Sequence, residues 1–183
     1  MSDVVRPALI NLLDQLDDSA AFICSDLLIV LAQNRLSVLL IGNHIRGTGF
    51  EDSVIWRWFT EPAYRTLFSP EDREYQAGLH VADLRATSSR RRGDPDVEAL
   101  VNGLSCRSEE FRQLWKRHEV GRPLKEVQKT IVHPRAGPVR VDVEILSTAD
   151  EGQRLVVLSA PAGTDSRRKF QLLGKLGDQA MGA

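Results

Sequence analysis

Val139-Arg140-Val141-Asp142-Val143-Glu144-Ile145 alternates strictly between aliphatic and charged residues. A β-strand points successive side chains to opposite faces, so this stretch reads as a strand with one buried and one wet face. Its neighbours follow from it. Glu126–His133 is the expected partner strand across the Pro134–Pro138 turn, and Arg154–Ser159 is a continuous apolar run suited to a central strand. Upstream, Ala20–Cys24 and Leu27–Gln33 are two short apolar runs around Ser25-Asp26, read as a hairpin.

Between the two strand groups the period changes to that of helices. Leu9, Leu12, Leu13 and Leu16 keep helical spacing over residues 5–16, with Pro7 in the first turn. Asn34 is placed to cap a helix carrying Leu36, Leu39 and Leu40, and the Gly42–Gly49 stretch breaks it. Helices are expected at Val54–Thr60, at Pro62–Phe68 and from Ser69-Pro70 to about Ala86. Ser88–Gly93, with Arg90-Arg91-Arg92, reads as a solvated loop. Asp94-Pro95 then starts a helix whose apolar face is Val97, Leu100, Val101 and Leu104. A final helix at about 166–181 carries Phe170, Leu172, Leu173 and Leu176. Five strands in two distant groups, with helices between, predict an α+β fold: one five-stranded antiparallel sheet with helices packed on one face, in the PAS-like layout. Such a layout places a pocket between sheet and helices. The whole chain, 1–183, is expected to form a single domain.

Composition narrows the function. The chain has 183 residues and a net charge of -1 with both signs interspersed, which argues against an extended nucleic-acid surface. No apolar run approaches the roughly 20 residues needed to span a bilayer, and no signal peptide is visible, so a cytoplasmic protein is expected. Cys24 and Cys106 have no metal spacing and no visible base partner; both are expected to be reduced and buried. No metal site or cofactor is expected.

The most informative helical stretch is Ser105-Cys106-Arg107-Ser108-Glu109-Glu110-Phe111-Arg112-Gln113-Leu114-Trp115-Lys116-Arg117-His118-Glu119-Val120. Phe111, Leu114, Trp115 and His118 fall on one face, with Ser108 as the cap. Such a stripe can pack a core, or it can line an apolar cavity with the imidazole as a polar anchor. Trp56, Trp58, Phe59 and Tyr64 are the densest aromatic cluster and read as sheet cover, a lid or a partner patch. The candidate ligand-binding residues are therefore Phe111, Leu114, Trp115, His118, Trp58, Phe59 and Tyr64. His118, Glu119 and His133 do not have metal-ligand spacing.

Segments spread along the chain give a family resemblance. They are Arg6-Pro7-Ala8-Leu9, Val30-Leu31-Ala32-Gln33-Asn34, Val81-Ala82-Asp83-Leu84-Arg85, Ser108-Glu109-Glu110-Phe111 with Leu114-Trp115, His133-Pro134 and Gly152-Gln153-Arg154-Leu155-Val156-Val157. In this order they resemble the ligand-binding domain of MmyB-like transcription regulators, which usually follows an XRE-type helix-turn-helix domain. Where that family commonly has Trp before the Asn after the second strand, this chain has Gln33. The resemblance implies a role in transcription control and an apolar pocket able to take a fatty-acid-like ligand. Only five residues precede Arg6, so direct DNA binding is not expected of this chain, and DNA would be reached through a missing or separate helix-turn-helix domain. A homodimer is a possible assembly.

The expected function is thus a non-enzymatic sensor domain whose helices repack when a small apolar molecule enters. Two competitors stand beside it. One is a small enzyme using His118, His133, Asp142 and Glu144 as acid/base groups. The other is a ligand-free interaction module built on the 54–68 aromatics.

Overall fold

The computed structural model describes residues 4–47, 49–117, 127–149 and 152–181. Helix α1 (Pro7–Asp14) leads into β1 (Ala20–Ser25) and β2 (Val30–Gln33), followed by α2 (Arg35–Ile41). Then come α3 (Val54–Thr60), α4 (Pro62–Arg65), α5 (Arg73–Arg90), α6 (Pro95–Arg107) and α7 (Glu109–Lys116). Strands β3 (Val127–His133), β4 (Gly137–Ser147) and β5 (Gln153–Ser159) precede the last helix, α8 (Asp165–Met181). The strands form one antiparallel sheet in the order β2-β1-β5-β4-β3. This is the expected α+β arrangement: two sequence-distant hairpin groups joined where β1 pairs with β5.

The alternation in β4 divides the sheet faces. Val139, Val141 and Val143 point inward with Ile131 of β3, Val156 and Leu158 of β5, and Phe22 and Cys24 of β1. This inner face packs beneath α3, α5 and α6, which supply Ile55, Trp58, Val81, Leu84, Leu100 and Leu104 to the same core. Arg140 and Asp142 alternate to the outer face, where each pairs with Gln128. Most helices lie on the inner side. The exception is α1, whose Leu13, with Leu9 and Ile10, covers Ala21, Ile23 and Leu155 on the outer face. β1 is therefore covered on both faces, which is why it is continuously apolar rather than alternating.

Local chemistry sets the boundaries. Asn34 caps α2 by accepting from Ser37 N at 2.9 Å. The same side chain accepts from Ala21 N and donates to the carbonyls of Leu16 and Ser19, so one residue ties α1, β1 and α2 together. Gln33 donates to Ser37 Oγ and the Gly42 carbonyl and accepts from His44 N at 2.6 Å, fixing the chain as it leaves α2. Asp94 caps α6, and Ser108 Oγ caps α7 by accepting from Phe111 N at 3.1 Å. Gly103 sits under Trp56: a Cβ there would meet the indole at 2.8 Å, so α6 needs a glycine at that turn.

Five expectations are corrected. The helix expected at Pro62–Phe68 ends at Arg65, and Thr66, Leu67 and Phe68 continue as tighter turns whose N–H groups donate to the carbonyls of Ala63, Tyr64 and Arg65. Strand β2 begins at Val30 and not at Leu27, because Leu27 and Leu28 belong to the turn; Ser25 Oγ accepts from Leu27 N and Ile29 N, and Leu28 takes a left-handed φ of 54°. The third long helix continues past Ala86 to Arg90. The arginine run is not a free loop: Arg91 pairs with Asp26 at 2.7 Å and with Asp94 at 2.8 Å, which anchors the end of α5. Cys106 is exposed, while Cys24 is buried as expected. His118, Glu119 and Glu126 lie outside the described residues.

Candidate functional site

A cavity of about 430 Å³ lies between α5 and the inner face of the sheet, within the size range of small-molecule sites. Its floor is a cross-strand row: the register sets Phe22 opposite Val156 and Val156 opposite Ile145. Leu28, Val54, Leu79 and Val143 extend the apolar wall.

The polar part of the lining comes from α5 and three strands, β4 contributing Glu144 and Ser147. Gln76, His80, Asp83 and Arg90 face the cavity. Their spacing is that of one helical stripe, which also carries Thr87, fully buried with its hydroxyl donating to the Asp26 carbonyl at 3.2 Å. From the sheet, Lys129 stands opposite Val141 and Arg154 opposite Cys24, both at inward-facing positions. Arg154 Nη1 donates to both carboxylate oxygens of Asp83 at 2.8 Å. Burial works against the Arg154 charge, but the Asp83 carboxylate outweighs it and holds the guanidinium above its ordinary value. This nearly buried pair fastens the middle of α5 to β5.

Lys129 is different. Its ammonium has no hydrogen bond or ion pair with any described residue; it lies 5.7 Å from the centre of the Phe68 ring. Burial lowers its pKa to about 8, and the Asp72 carboxylate pulls the other way. Next to it, the His80 ring tilts against Trp58 at 5.1 Å and has no hydrogen-bond partner among the described residues. Burial first, and the Lys129 charge second, push His80 down to about 3, so the imidazole is neutral at physiological pH. The cavity therefore joins an apolar floor to the Lys129 ammonium, the neutral His80 imidazole and the Gln76 amide, with the charged side chains of Arg90 and Glu144 also on its lining.

The candidate ligand-binding residues lie elsewhere. Phe111 is fully buried, edge-on to Phe59 at 5.2 Å and stacked on Trp115 at 5.5 Å, with Leu114 packed against the same core. Tyr64 and Trp58 each meet Phe68 edge-on, and Trp58 reaches the cavity wall through its contact with His80. The six described candidates form packing behind the wall and are not part of the cavity lining; the seventh, His118, is not described. The acid/base candidates do not converge either. His133 Nδ1 accepts from Arg135 N and Ala136 N, and its Nε2 donates to the Leu39 carbonyl, so both ring nitrogens are occupied in a turn. Asp142 is on the outer face, and Glu144 lies at the cavity rim. Burial pushes the Cys24 thiol up to about 12, which rules out a thiolate at neutral pH. Among the described residues no three His, Cys, Asp or Glu side chains are grouped to hold a metal ion.

Sequence reasoning missed the lining because its helical part is polar. Gln76, His80, Asp83 and Thr87 look like a solvent face, yet they point at the sheet. Two signals pointed there: Arg154 opens an otherwise apolar central strand, and Lys129 occupies the same strand face as Ile131.

A helix laid across a β2-β1-β5-β4-β3 sheet, with a lined cavity between, has the form of a small-molecule binding domain. The MmyB-like transcription regulator ligand binding domain matches residues 5–173. The chain belongs to this family. No curated protein matches it. As an MmyB-like domain it is a regulatory ligand-binding domain of a transcription regulator, and the match covers the ligand-binding part without a DNA-binding domain. Within the described residues of this MmyB-like domain, no helix is long and apolar enough to cross a membrane.

Proposed function

We propose that this domain senses an apolar, fatty-acid-like small molecule in the cavity between α5 and the sheet, and that occupancy repacks the helices. The observation that carries this reading is the cavity: about 430 Å³ with an apolar floor and a short polar stripe. Burial of the ligand's methylenes, each contributing about 0.8 kcal/mol, supplies the affinity, and the polar groups fix its orientation. Phe111, Trp115, Phe59, Trp58 and Tyr64 act indirectly, as the rigid backing of the wall. The chain is non-enzymatic on this reading. It acts in the cytoplasm and reaches DNA only through a helix-turn-helix domain.

The way α5 is held supports repacking. Its C-terminal half is tied down through Asp83–Arg154, Thr87 and Arg91–Asp26. Arg85 also donates to the Leu114 and Trp115 carbonyls and lies 5.1 Å over the Trp115 ring, which couples α5 to α7. The cavity-facing N-terminal half has fewer such ties, so a ligand bears on Gln76, Leu79 and His80, and α7 follows. A ligand can shift this equilibrium only by its differential affinity for the two packings. Hydrogen exchange with and without dodecanoic acid tests the reading. Slowed exchange in α5 and the facing strands supports it; unchanged exchange there, or protection confined to another region, contradicts it.

A further inference from the structure

We propose that Lys129 captures the carbonyl group of an apolar aldehyde as an imine, making the cavity a covalent site for such a ligand. The inference rests on the cavity being the ligand site. Lys129 stands opposite Val141 on the inward face of the sheet, with Ile131 next along that face. It lines the cavity and is half-buried, so a molecule inside can reach its amine. The titratable and charged groups that share its cavity or reach it by charge are His80, Asp83 and Arg90 on α5, Glu144 on β4, Arg154 on β5 and Asp72 just ahead of α5. Asp83 is taken up by Arg154, and the Lys129 nitrogen forms no hydrogen bond or ion pair with any described residue. Its lone pair is therefore available once the proton leaves. Burial holds the ammonium near a pKa of 8, so about a tenth of it is free amine at pH 7. Desolvation in an apolar pocket is one way that proteins activate a lysine for Schiff-base formation. Arg90 and Arg154, the other cations on the lining, are guanidiniums that keep their protons and so offer no such nucleophile.

The ammonium first gives its proton to water. The amine nitrogen attacks the carbonyl carbon, and the C=O π pair goes to oxygen. A proton passes from nitrogen to that oxygen, giving a carbinolamine. Its hydroxyl takes up a proton and leaves as water while the nitrogen lone pair closes the C=N bond, and the remaining N–H proton returns to solvent. One ammonium and one aldehyde thus yield one imine, one water and one proton, with nothing oxidised or reduced. His80 and Gln76 face the same cavity, and the neutral ring and the amide can each donate to the carbonyl oxygen as charge builds on it. The apolar floor takes the alkyl chain. An inward-pointing lysine on an edge strand can also serve only to discourage edge-to-edge pairing. Here, however, the edge of β3 is already covered: Val132 N donates to the Leu67 carbonyl at 2.7 Å, Ser69 N donates to Thr130 O at 3.4 Å, and Phe68 bridges Ile131.

Treatment of the full chain with decanal and sodium cyanoborohydride, which reduces an imine to a stable secondary amine, tests the inference. Peptide mass mapping is expected to find one decyl group, on Lys129. At pH 7 that site should be labelled at least about tenfold faster than Lys169, which is paired with Asp165, or the exposed Lys175. The lead should narrow as pH rises from about 8 towards 10, where an ordinary lysine also begins to lose its proton. Decan-1-ol, which fills the cavity but cannot condense, should slow the labelling of Lys129. Lys129→Arg keeps the charge and should lose that label while still binding decan-1-ol in calorimetry, which shows that the variant is folded. Equal labelling of the lysines, or labelling of Lys129 that decan-1-ol does not slow, overturns the proposal. Binding of decan-1-ol without labelling of Lys129 overturns the imine and leaves the cavity as the ligand site. Neither binding nor labelling overturns both. A lysine serving only the strand edge would be labelled no faster than Lys175.

Discussion

Lys129 holds a charge where its neighbours along the strand face are core, and this has a consequence for stability. Its folded-state pKa, about 8, lies below the ordinary 10.5. The unfolded chain therefore binds the proton more tightly, and stability rises as pH climbs from about 8 towards 10.5. Lys129→Met is predicted to stabilise the ligand-free protein by roughly 1–3 kcal/mol at pH 7, with most of that gain gone by pH 10. Urea unfolding at the two pH values checks this, and an equal gain at both would contradict it. At this scale the sequence was informative about caps and weak about the site. Asn34, Asp94 and Ser108 are small polar residues ahead of apolar periodicity, and each caps the helix expected of it. Lys129 and His80 gave no such local signal, because which way they point depends on register and helix rotation set by the rest of the fold.

Helix α5 is the element on which the account turns. Its inner stripe is Gln76, His80, Asp83 and Thr87, held to the sheet by Arg154 rather than by apolar contact alone. Removing one partner of such a pair strands the other charge, whereas replacing both need not. Asp83→Asn is accordingly predicted to cost about 3–5 kcal/mol, and Asp83→Leu with Arg154→Leu to recover most of it. Chemical unfolding of the single and double variants measures this; a double variant as unstable as the single one would show that the pair is not an independent latch. Elements with a strong period were legible: β4 through its alternation, β5 through its apolar run, α7 through its aromatic stripe. Boundaries set by tertiary contacts were not. The end of α5 at Arg90 follows from Arg91 reaching Asp26, and the late start of β2 follows from Leu27 being drawn into the core.

The whole molecule joins an apolar floor built by three strands to a polar helix face, and the space between them is the proposed sensing site. The antiparallel sheet with its two sequence-distant strand groups could be read from the chain. The lining could not, since the conspicuous aromatics fill the layer behind it: Phe111 and Trp115 are the pieces a pattern reader sees first, and they are packing. Filling the cavity from the α5 side separates these roles. The most direct test is calorimetric titration of dodecanoic acid into the native protein and into Leu79→Trp, which places an indole on the cavity wall. The account predicts one-to-one binding to the native protein and at least about a tenfold loss in Leu79→Trp, a penalty of about 1.4 kcal/mol or more, with the variant's fold retained. Equal affinity in the two proteins, or no binding to the native one, would contradict the assignment of the ligand to this cavity.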